Sequence, residues 1–550
     1  MLFVNVGKDD IDLMRRTGEL DELGADNIHQ TIREAVGYAQ TTAETSGHHV
    51  GKEVHPMGIS SSKQSLPGGL KSNGDASMSG EASQESIVPA VHLTVAERVA
   101  TGRAARAEVG RGSHAAWEPS SDRPDPVDLF EQQAANRVKE LVPIRYGRML
   151  VSPLNFYRGA AYLMASDLAG MPRTGLHVQL CGDAHLSNFG YYAAPDRQIV
   201  FDVNDFDETL PGPFEWDLKR LVASFAVAGR SFGFGESARR KINLTVGRAY
   251  REAMAEFASN REMQTWYART VVDQGFFEQF RSRVGKKAVA RAEKNVEKAR
   301  SRDHLRAFSK LTEIVAGERR FASDPPMIMP LADLATDEQA VDTPRDVIRA
   351  YRESIDGNRR RLFDRFRYVD LARKAVGVGS VGTRCWVALF LGRGNDDPLI
   401  LQIKEAEASV LEPFLGKSRF RNHGRRVVEG QQLMQATSDP MLGWIRVKDS
   451  VGIKRDFYVR QRWDAKGSAL IDAMKPKTMR VYAQLCAGIL ARAHARSGDA
   501  VAISSYLGRS DKFDRGLATF AETYADQNER DYASLKAAAD AGQIEVQSLS

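Results

Sequence analysis

Hydrophobic and polar side chains change their spacing several times along the 550-residue chain. Alternating apolar positions and runs of β-forming residues predict strands at residues 176–180, 199–203, 385–391, 399–404 and 457–461. Apolar positions at helical spacing predict helices from Pro213 to about Lys310, at 427–434 and over 476–550. Helix therefore dominates, and we expect an α+β fold with a large helical lobe and a smaller β-rich lobe.

The amino-terminal part of the chain lacks a comparable pattern. Residues 58–86 contain 14 Ser or Gly among 29 residues and no aromatic side chain. Such a segment buries too little apolar surface to offset its ordering entropy, so we expect a flexible linker. The predicted organisation is a flexible or loosely ordered extension over 1–95, a helical lobe over 96–370, a β-rich nucleotide-binding lobe over 371–475, and helices over 476–550 that return to the helical lobe.

Charge is distributed unevenly. The chain has 77 Lys and Arg against 71 Asp and Glu, a net charge of +6. Residues 281–310 hold 11 of the basic and 3 of the acidic residues, so this segment alone contributes 11 − 3 = +8. No aromatic side chain lies between Phe280 and Phe308 to stack on bases, and valines recur among the charges as on a solvated surface helix. We therefore expect no nucleic-acid partner; binding of an anion or a nucleic acid by this segment is the alternative.

Cysteine usage and hydropathy bear on the compartment. The three cysteines lie far apart without a CxxC pair, which argues against a disulfide framework or a zinc site and for a reducing cytoplasm. No apolar run approaches the roughly 18 residues of a membrane helix. The apolar start of the chain is too short for a signal peptide. The sequence therefore predicts a cytoplasmic protein without a membrane partner.

Two clusters of polar residues directly follow the first two predicted strands. One is Cys181-Gly-Asp-Ala-His-Leu-Ser-Asn188 and the other is Asp202-Val-Asn-Asp-Phe-Asp-Glu208. Both should emerge at the same end of neighbouring strands, where Asp183, Asn188 and Asp205 present the oxygen atoms that Mg²⁺ or Mn²⁺ prefers. A metal with so few protein ligands normally completes its coordination with water and phosphate oxygens, which indicates phosphoryl chemistry. The alternative is that these residues only form turns and caps.

A glycine-rich segment, Gly377-Val-Gly-Ser-Val-Gly382, fits the pattern GxGxxG. A dinucleotide-binding fold would place a helix directly after it, whereas here two predicted strands follow. A glycine turn between strands, with a lysine on the next strand, is instead the arrangement of protein kinases. The predicted nucleotide contacts are therefore Gly377, Gly379, Ser380 and Gly382, and the alternative is a merely flexible loop.

Lys404 ends the second of those strands, 22 residues after the last glycine of the segment. Its ammonium group could pair with ATP phosphates and be positioned by a carboxylate from a helix. Glu429 in the predicted helix 427–434 is our candidate for that partner, ahead of Glu405 and Glu407. The alternative for Lys404 is a solubilising lysine on an edge strand.

These segments resemble known enzymes. The run from Cys181 to Asn188 is similar to the HGDxHxxN catalytic loop of aminoglycoside phosphotransferases and related kinase-like enzymes, and Asn204-Asp-Phe-Asp207 resembles their metal-binding IDF element, the counterpart of the kinase DFG. More closely, short motifs over roughly residues 100–525 match the bacterial family called domain of unknown function 2252. Those motifs are Arg145-Tyr-Gly-Arg-Met149, Ser152-Pro, Tyr157-Arg-Gly159, Cys181–Gly190 and Asp205-Phe-Asp-Glu-Thr-Leu-Pro-Gly-Pro213.

The kinase-like resemblance implies a role for the residues of both clusters. Asp183 would orient or deprotonate the acceptor hydroxyl, and Asn188 and Asp205 would hold the metal. His185 belongs to the same motif and is placed with Asp183 in the catalytic set; the alternative is that it only makes a hydrogen bond at the edge of the core.

Two positions depart from the kinase-like pattern. Cys181 stands where these enzymes have a histidine that braces the catalytic loop. Asp207 stands in place of the glycine of DFG, where it would either add a metal ligand, as we assign it, or face solvent. The same resemblance makes Asp217, in Glu215-Trp-Asp-Leu218, a structural residue rather than a catalytic one.

The order of the segments is unusual. Kinases have the glycine loop and the lysine before the catalytic and metal loops, whereas here they follow about 170 residues later. A circular permutation would reconcile the two orders, with the helix Val481–His494 in the place of the one that precedes the catalytic loop. The expectation is then a protein-kinase-like two-lobed fold in which Lys404 and Asp205 lie within the span of an ATP triphosphate and its metal.

The leading functional hypothesis is an ATP- and Mg²⁺-dependent phosphotransferase that acts on an unidentified hydroxyl acceptor, for which we favour a small molecule. Its expected ligands are the nucleotide, Mg²⁺ or Mn²⁺, and that acceptor. Two alternatives stay open. One is a nucleotide-binding regulator without turnover, which the departures at Cys181 and Asp207 favour. The other is a metal-dependent phosphoesterase that does not use Lys404.

Overall fold

The computed structural model describes most of the chain after residue 91. The described residues are 92–300, 304–315, 317–334, 343–374, 381–449, 452–462 and 465–547, preceded by two short strands, β1 (Phe3–Val4) and β2 (Ile28–His29). β1 and β2 pair in parallel within a first unit, Met1–Pro89, and Ala90–Ser550 forms a second. The predicted linker over 58–86, and the predicted extension up to residue 91 apart from those strands, lie outside the described residues.

Short helices open the second unit, and the local sequence explains where they begin. Thr94 caps the first, because its hydroxyl accepts from the Glu97 N–H while the Glu97 carboxylate accepts from the Thr94 N–H. Asp125 and Ser152 cap later helices, each followed by a proline preorganised for the first turn. The helices are α1 (Val95–Glu108), α2 (Pro126–Ala134), α3 (Val142–Met149), α4 (Pro153–Gly159) and α5 (Ala161–Ala169).

Two antiparallel strand pairs follow and bring the polar clusters together. The strands are β3 (His177–Leu180), β4 (Phe189–Ala193), β5 (Ile199–Val203) and β6 (Leu210–Pro213). Leu180 lies opposite Leu210 in the pair β3–β6, and Phe189 lies opposite Val203 in the pair β4–β5. The first cluster joins β3 to β4 and the second joins β5 to β6. The two clusters therefore lie together where the pairs end, as predicted, but β3 and β5 are not neighbouring strands, because each pairs within a different sheet.

Helices continue the chain from there, and the basic segment 281–310 falls on more than one of them. The elements are α6 (Glu215–Ser231), α7 (Glu236–Ser259), α8 (Glu262–Tyr267), α9 (Gln274–Val284), α10 (Lys286–Arg300), α11 (His304–Leu311) and the hairpin β7 (Thr312–Val315) and β8 (Glu318–Phe321). Gly285, with φ of +84°, ends α9 and separates it from α10. On α10, Val289 and Val296 are buried while most lysines and arginines are exposed, so the expected surface helix is confirmed for this stretch.

A six-stranded antiparallel sheet holds the predicted strands of the second half of the chain. Its strands are β9 (Ile328–Pro330), β10 (Arg367–Lys374), β11 (Cys385–Leu391), β12 (Pro398–Glu405), β13 (Gly443–Lys448) and β14 (Lys454–Gln461). Their order is β13-β14-β12-β11-β10-β9. Cys385 and Tyr458 flank Lys404 on the neighbouring strands. Lys404 therefore lies on a central strand, and the edge-strand alternative is wrong.

Helices in this part of the chain accompany the sheet. They are α12 (Pro344–Ser354), α13 (Gly357–Phe363), α14 (Glu412–Leu415) and α15 (His423–Met434). Tyr351 and Phe363 pack with Phe390 on one face of the sheet. This layer thus begins well before residue 371, where we placed its boundary, because β9, β10 and the helices that bury its apolar face all come earlier. α15 begins at His423, before the predicted start at residue 427, and Asn422 caps it.

The carboxyl-terminal helices pack on the helices that precede the sheet. The last elements are β15 (Gly467–Ser468), which pairs with β4, and α16 (Pro476–Ser497), α17 (Ala500–Leu507) and α18 (Lys512–Asp540). α16 packs along α7 and against β3, and α18 packs on α6. The described residues thus form a mixed α+β structure, as predicted. Within them, no helix combines the length and the apolar composition needed to cross a membrane.

Candidate functional site

One buried carboxylate anchors the backbone of the loop Cys181–Asn188. Asp217, in the first turn of α6, accepts hydrogen bonds from the N–H groups of Cys181 at 2.7 Å and Gly182 at 3.0 Å. The ring of His494, on α16, lies 3.3 Å from the same carboxylate. Buried backbone donors need such partners, so Asp217 supports the loop in the way that the resemblance implied.

The two polar clusters contact each other through the backbone at Gly182. Its φ is +84°, and a Cβ there would lie 2.2 Å from the carbonyl oxygen of Glu208 in the second cluster. Only glycine fits this close approach. The neighbouring Cys181 is fully buried, and burial together with Asp217 raises the pKa of its thiol well above the ordinary value. Cys181 therefore remains a protonated core residue, not a nucleophile.

Asp183 forms an ion pair with an arginine of α6. Nε and Nη2 of Arg220 each lie 2.8 Å from Oδ1 of Asp183. Burial raises the pKa of Asp183, and the positive charges of Arg220 and Arg158 oppose that rise. Arg220 itself is fixed by a hydrogen bond to the Tyr157 carbonyl oxygen at 2.7 Å. The carboxylate is thus held in one orientation and still lines a cavity.

His185 is buried directly beside that carboxylate. Its Nδ1 accepts a hydrogen bond from the Ser187 N–H at 3.2 Å, so the neutral ring carries its proton on Nε2. Nε2 lies 3.7 Å from Oδ2 of Asp183. Burial and the nearby charges of Arg158 and Arg220 hold the pKa of His185 well below 6.5. The ring is therefore a neutral neighbour of Asp183 and lines the same cavity.

Asn188 and Asp205 lie at the adjoining ends of β4 and β5. The Asn204 N–H donates to the Asn188 carbonyl oxygen at 2.9 Å, which extends the ladder into both clusters. The side-chain amide nitrogen of Asn188 donates to the Asp183 carbonyl oxygen at 2.7 Å and leaves its amide oxygen for a ligand. Burial and the negative charge of Asp207 raise the pKa of Asp205. A carboxylate in that setting favours a nearby cation.

Asp207 is the partner of Lys404. The Lys404 ammonium group contacts one carboxylate oxygen of Asp207, and the Tyr458 hydroxyl donates to the other at 2.8 Å. Burial alone would raise the pKa of Asp207, but Lys404 and Tyr458 lower it below the ordinary value. In turn, Asp207 raises the pKa of Lys404 against the effect of burial. Both oxygens of Asp207 have protein partners in this structure, and its assignment as a third metal ligand stays a prediction.

The predicted pairing of Lys404 with Glu429 is wrong, because Lys404 contacts Asp207 instead. Glu429 accepts a hydrogen bond from Arg425 at 3.0 Å, one helical turn earlier, on the outer side of α15. The residue of α15 that reaches the site is instead the buried Arg426. It donates to the carbonyl oxygens of Thr209 at 2.7 Å and Asp207 at 2.8 Å. α15 therefore fixes the backbone of the second cluster rather than the lysine.

The glycine-rich segment joins β10 to β11, between strands as predicted. Gly377, Gly379 and Ser380 lie outside the described residues. Gly382 is described, and its φ of +91° is a conformation that glycine adopts readily. Its carbonyl oxygen accepts from the Val138 N–H at 2.8 Å, which ties the end of the segment to the chain just before α3.

Two further cations, Arg460 and Lys466, act on Asp205. Arg460, two positions after Tyr458 on β14, donates to the Gln402 side chain at 3.1 Å and has its pKa raised by Tyr458 and by Asp205, against burial. Burial and the charge of Arg460 lower the pKa of Lys466 to about 7, and Asp205 opposes this shift. The alternation of β14 was a usable signal for Arg460, because it puts Arg460 on the same face as Tyr458. The sequence contained no comparable signal for Lys466.

A cavity of about 630 Å³ brings the site residues together. Its polar lining includes Asp183, His185, Asn188, Asp205, Asp207, Glu208, Arg137, Arg145 and Arg158. Asn188 and Asp205 fit a divalent cation by the chemistry of their oxygens. Within the described residues, however, no group of three or more His, Cys, Asp or Glu side chains is arranged to hold a metal ion. Any such ion would need water or phosphate oxygens for most of its coordination.

Comparison with known proteins places this site within a family. No curated protein and no solved structure matches the chain significantly. One family model does match, over residues 137–538, a range that includes both polar clusters, Lys404 and α15. Because this match covers more than half of the chain, the protein belongs to the family described as "Uncharacterized protein conserved in bacteria (DUF2252)".

Proposed function

We propose that this protein is an ATP- and Mg²⁺-dependent phosphotransferase with a kinase-like site, which acts on a hydroxyl group of a small-molecule acceptor. The observation that carries the proposal is the contact between Lys404 and Asp207. It brings Lys404, on the second strand after the glycine-rich segment, to the loop that also holds Asp205. Asn188 and Asp205 line the same cavity as Asp183, so nucleotide, metal and acceptor groups would meet there.

The order of the elements in the sheet supports the kinase-like part of the proposal. β10, the glycine-rich segment, β11 and β12 follow one another, with Lys404 on the third strand. The short helix α14 and then α15 come next. Kinases have the same succession of glycine-rich loop, strand lysine and helix. We therefore propose a permuted, two-lobed, kinase-like fold.

The position of α16 supports the permutation. The Gln179 N–H on β3 donates to the Ser497 hydroxyl at the end of α16, at 3.1 Å. Arg492 on the same helix pairs with Asp202 at 2.5 Å. α16 thus contacts the strands that lead into both clusters, which is the position expected of a helix that precedes the catalytic loop in an unpermuted chain.

Each residue of the site has a separate role in the proposed reaction. Mg²⁺ held by Asn188 and Asp205 would neutralise charge on the phosphates of bound ATP. Asp183 would accept the proton of the acceptor hydroxyl, and Arg220 keeps its carboxylate in position for that step. Lys404 remains charged because its pKa is raised, so it can pair with phosphate oxygens once these compete with Asp207. An ATP donor also agrees with the cytoplasmic location that the sequence predicts.

A nucleotide-binding regulator without turnover is the second candidate, and one observation favours it. Asp183 and Lys404 both have charged protein partners, Arg220 and Asp207, so neither is unpaired without a substrate. A regulator would bind Mg·ATP at this site and release no product.

Nucleotide binding and ATP turnover test the proposal together. Mg·ATP should raise the melting temperature of the wild-type chain, and the shift should be lost in Asp205→Asn and Lys404→Met. Asp183→Asn should keep the shift and lose ATP turnover. Lys454→Met, an exposed lysine on β14, is the matched control and should behave as wild type. Absence of Mg-dependent nucleotide binding would refute the proposal, and binding by wild type without turnover would establish the regulator.

A further inference from the structure

Arg145, on α3, is a fully buried arginine with incomplete hydrogen bonding. It is 1% exposed, and its Nε and Nη1 have no hydrogen-bond partner. Only Nη2 donates, to the Gln133 side chain at 3.1 Å and the Gly159 carbonyl oxygen at 3.4 Å. Burial and the like charge of Arg137 lower the pKa of Arg145 to about 9. A buried guanidinium without an ion pair is costly, so Arg145 beside a cavity is suited to bind an anion.

Arg158, on α4, lines the same cavity and is also unpaired. Its Nε is buried without a hydrogen-bond partner, and it makes no ion pair with any residue in the described part of the chain. Burial lowers the pKa of Arg158, and the charge of Asp183 opposes this. Arg158 and Asp183 line the same cavity, and the positive charge of Arg158 lowers the pKa of Asp183 against the effect of burial.

The carboxylates of the cavity do not neutralise this pair. Glu407 and Glu208 act on the third arginine, Arg137, whose pKa they raise against burial. The carboxylate that acts on Arg145 is Glu131, which accepts a hydrogen bond from Tyr146 rather than from the arginine. Asp183, which pairs with Arg220, and Asp472 act on Arg158 through their charge alone. Within the described residues, Arg145 and Arg158 therefore form no ion pair with a carboxylate.

We propose that Arg145 and Arg158 bind an acidic group of the acceptor, a phosphate or a carboxylate. Planar guanidinium groups match the oxygens of both anions, with paired hydrogen bonds. Anchoring that group on α3 and α4 would bring another part of the acceptor, its hydroxyl, to Asp183. The anion site itself depends only on the two arginines and the cavity. Its assignment to the acceptor rests on the proposed function.

Calorimetric titration with inorganic phosphate tests the subsite directly, on the full chain saturated with a non-hydrolysable Mg·ATP analogue. Phosphate should bind the wild type, and Arg158→Gln should weaken that binding by about tenfold or more, since charge-assisted hydrogen bonds would be lost. Arg145→Met should weaken it similarly and, by removing an unpaired buried charge, should not lower the melting temperature. Arg148→Gln, on the same helix but outside the cavity lining, is the matched control and should bind phosphate normally.

The outcomes separate this inference from the proposed function. The subsite would be overturned if neither phosphate nor acetate bound, or if each anion bound wild type and Arg158→Gln equally well. Competition between phosphate and the nucleotide analogue, with both weakened by Arg158→Gln, would also overturn it, because the arginines would then hold the nucleotide. Arg158-dependent phosphate binding by a chain that binds no nucleotide would support the subsite and refute the proposed function. Acetate, titrated in parallel, shows whether the subsite prefers a carboxylate or a phosphate. An Arg158-dependent response to either anion supports the subsite, and the anion that binds more tightly identifies the acidic group of the acceptor.

Discussion

The ammonium group of Lys404 contacts the carboxylate of Asp207, although 197 residues separate them in the chain. The contact joins a central strand of the sheet to the loop between β5 and β6. Tyr458, on the neighbouring strand, donates to the second oxygen of the same carboxylate. Lys404 is only 4% exposed, so its charge has little water to stabilise it and depends on Asp207.

Removing one partner of this ion pair should destabilise the fold more than removing both. Asp207→Asn leaves Lys404 buried and unpaired, so the free energy of unfolding should fall by about 3–5 kcal/mol. The double variant Asp207→Asn with Lys404→Met should recover most of that loss. Denaturant unfolding of the two variants and of Lys404→Met alone gives the comparison. A double variant as unstable as Asp207→Asn would contradict the dependence of Lys404 on Asp207.

The hydrogen bonds that Asp217 accepts from the backbone of the loop Cys181–Asn188 predict a second effect. Asp217→Ala leaves the buried N–H groups of Cys181 and Gly182 without an acceptor, which should cost about 2–4 kcal/mol of unfolding free energy. Asp125→Ala removes an exposed helix cap instead and should cost about 1 kcal/mol. Chemical denaturation measures both. Equal losses in the two variants would show that the loop does not need the Asp217 carboxylate.

The pairing of Asp183 with Arg220 predicts a change in pH dependence. Arg220 lowers the pKa of Asp183 against the effect of burial, so Arg220→Met should raise that pKa further. If Asp183 accepts the acceptor proton, the rising limb of the turnover profile should then move to higher pH. Arg230→Met, on α6 but paired with Glu522 at the surface, is the control. An unchanged profile in Arg220→Met would show that Asp183 is not the titrating group.

Local patterns predicted β3 and β5, the strands that lead into the two clusters, because alternation fixes both the strand and the face that each residue occupies. They did not predict β4 and β6, the short strands that follow the clusters. They also predicted that the two clusters would meet, which the pairing of Leu180 with Leu210 confirms. The partner of Lys404 could not be predicted in this way. Glu429 and Asp207 were both acidic and both distant in the sequence, and only tertiary packing decides between them.

The sequence did contain one unused signal against Glu429. Arg425 precedes it by one helical turn, a spacing at which oppositely charged side chains pair on the surface of a helix. No such signal in the sequence indicated that Arg145 and Arg158 would be buried without an ion pair. Their spacing in the chain was visible, but whether an arginine is paired depends on which carboxylates the fold brings near it. Burial and pairing of individual charges are properties of the packed structure.

Lys219 on α6 predicts the pH dependence of stability. It is 1% exposed, and burial lowers its pKa to about 8, with Glu215 opposing the shift. The unfolded chain keeps this proton up to the ordinary value of 10.5. Between these values the unfolded state binds more protons than the folded state, so this group makes the protein more stable as the pH rises from about 8 to 10.5.

The Lys219→Met variant isolates that contribution. At pH 7 the folded wild type bears the cost of a buried charge, so the variant should be more stable by an amount on the order of 2–3 kcal/mol. The advantage should shrink as the pH approaches 10.5, because the folded wild type then has a neutral lysine. Denaturant unfolding at a series of pH values measures the difference, with the exposed Lys241→Met as control. A difference that stays constant from pH 7 to 10.5 would show that Lys219 titrates at the same pH in both states.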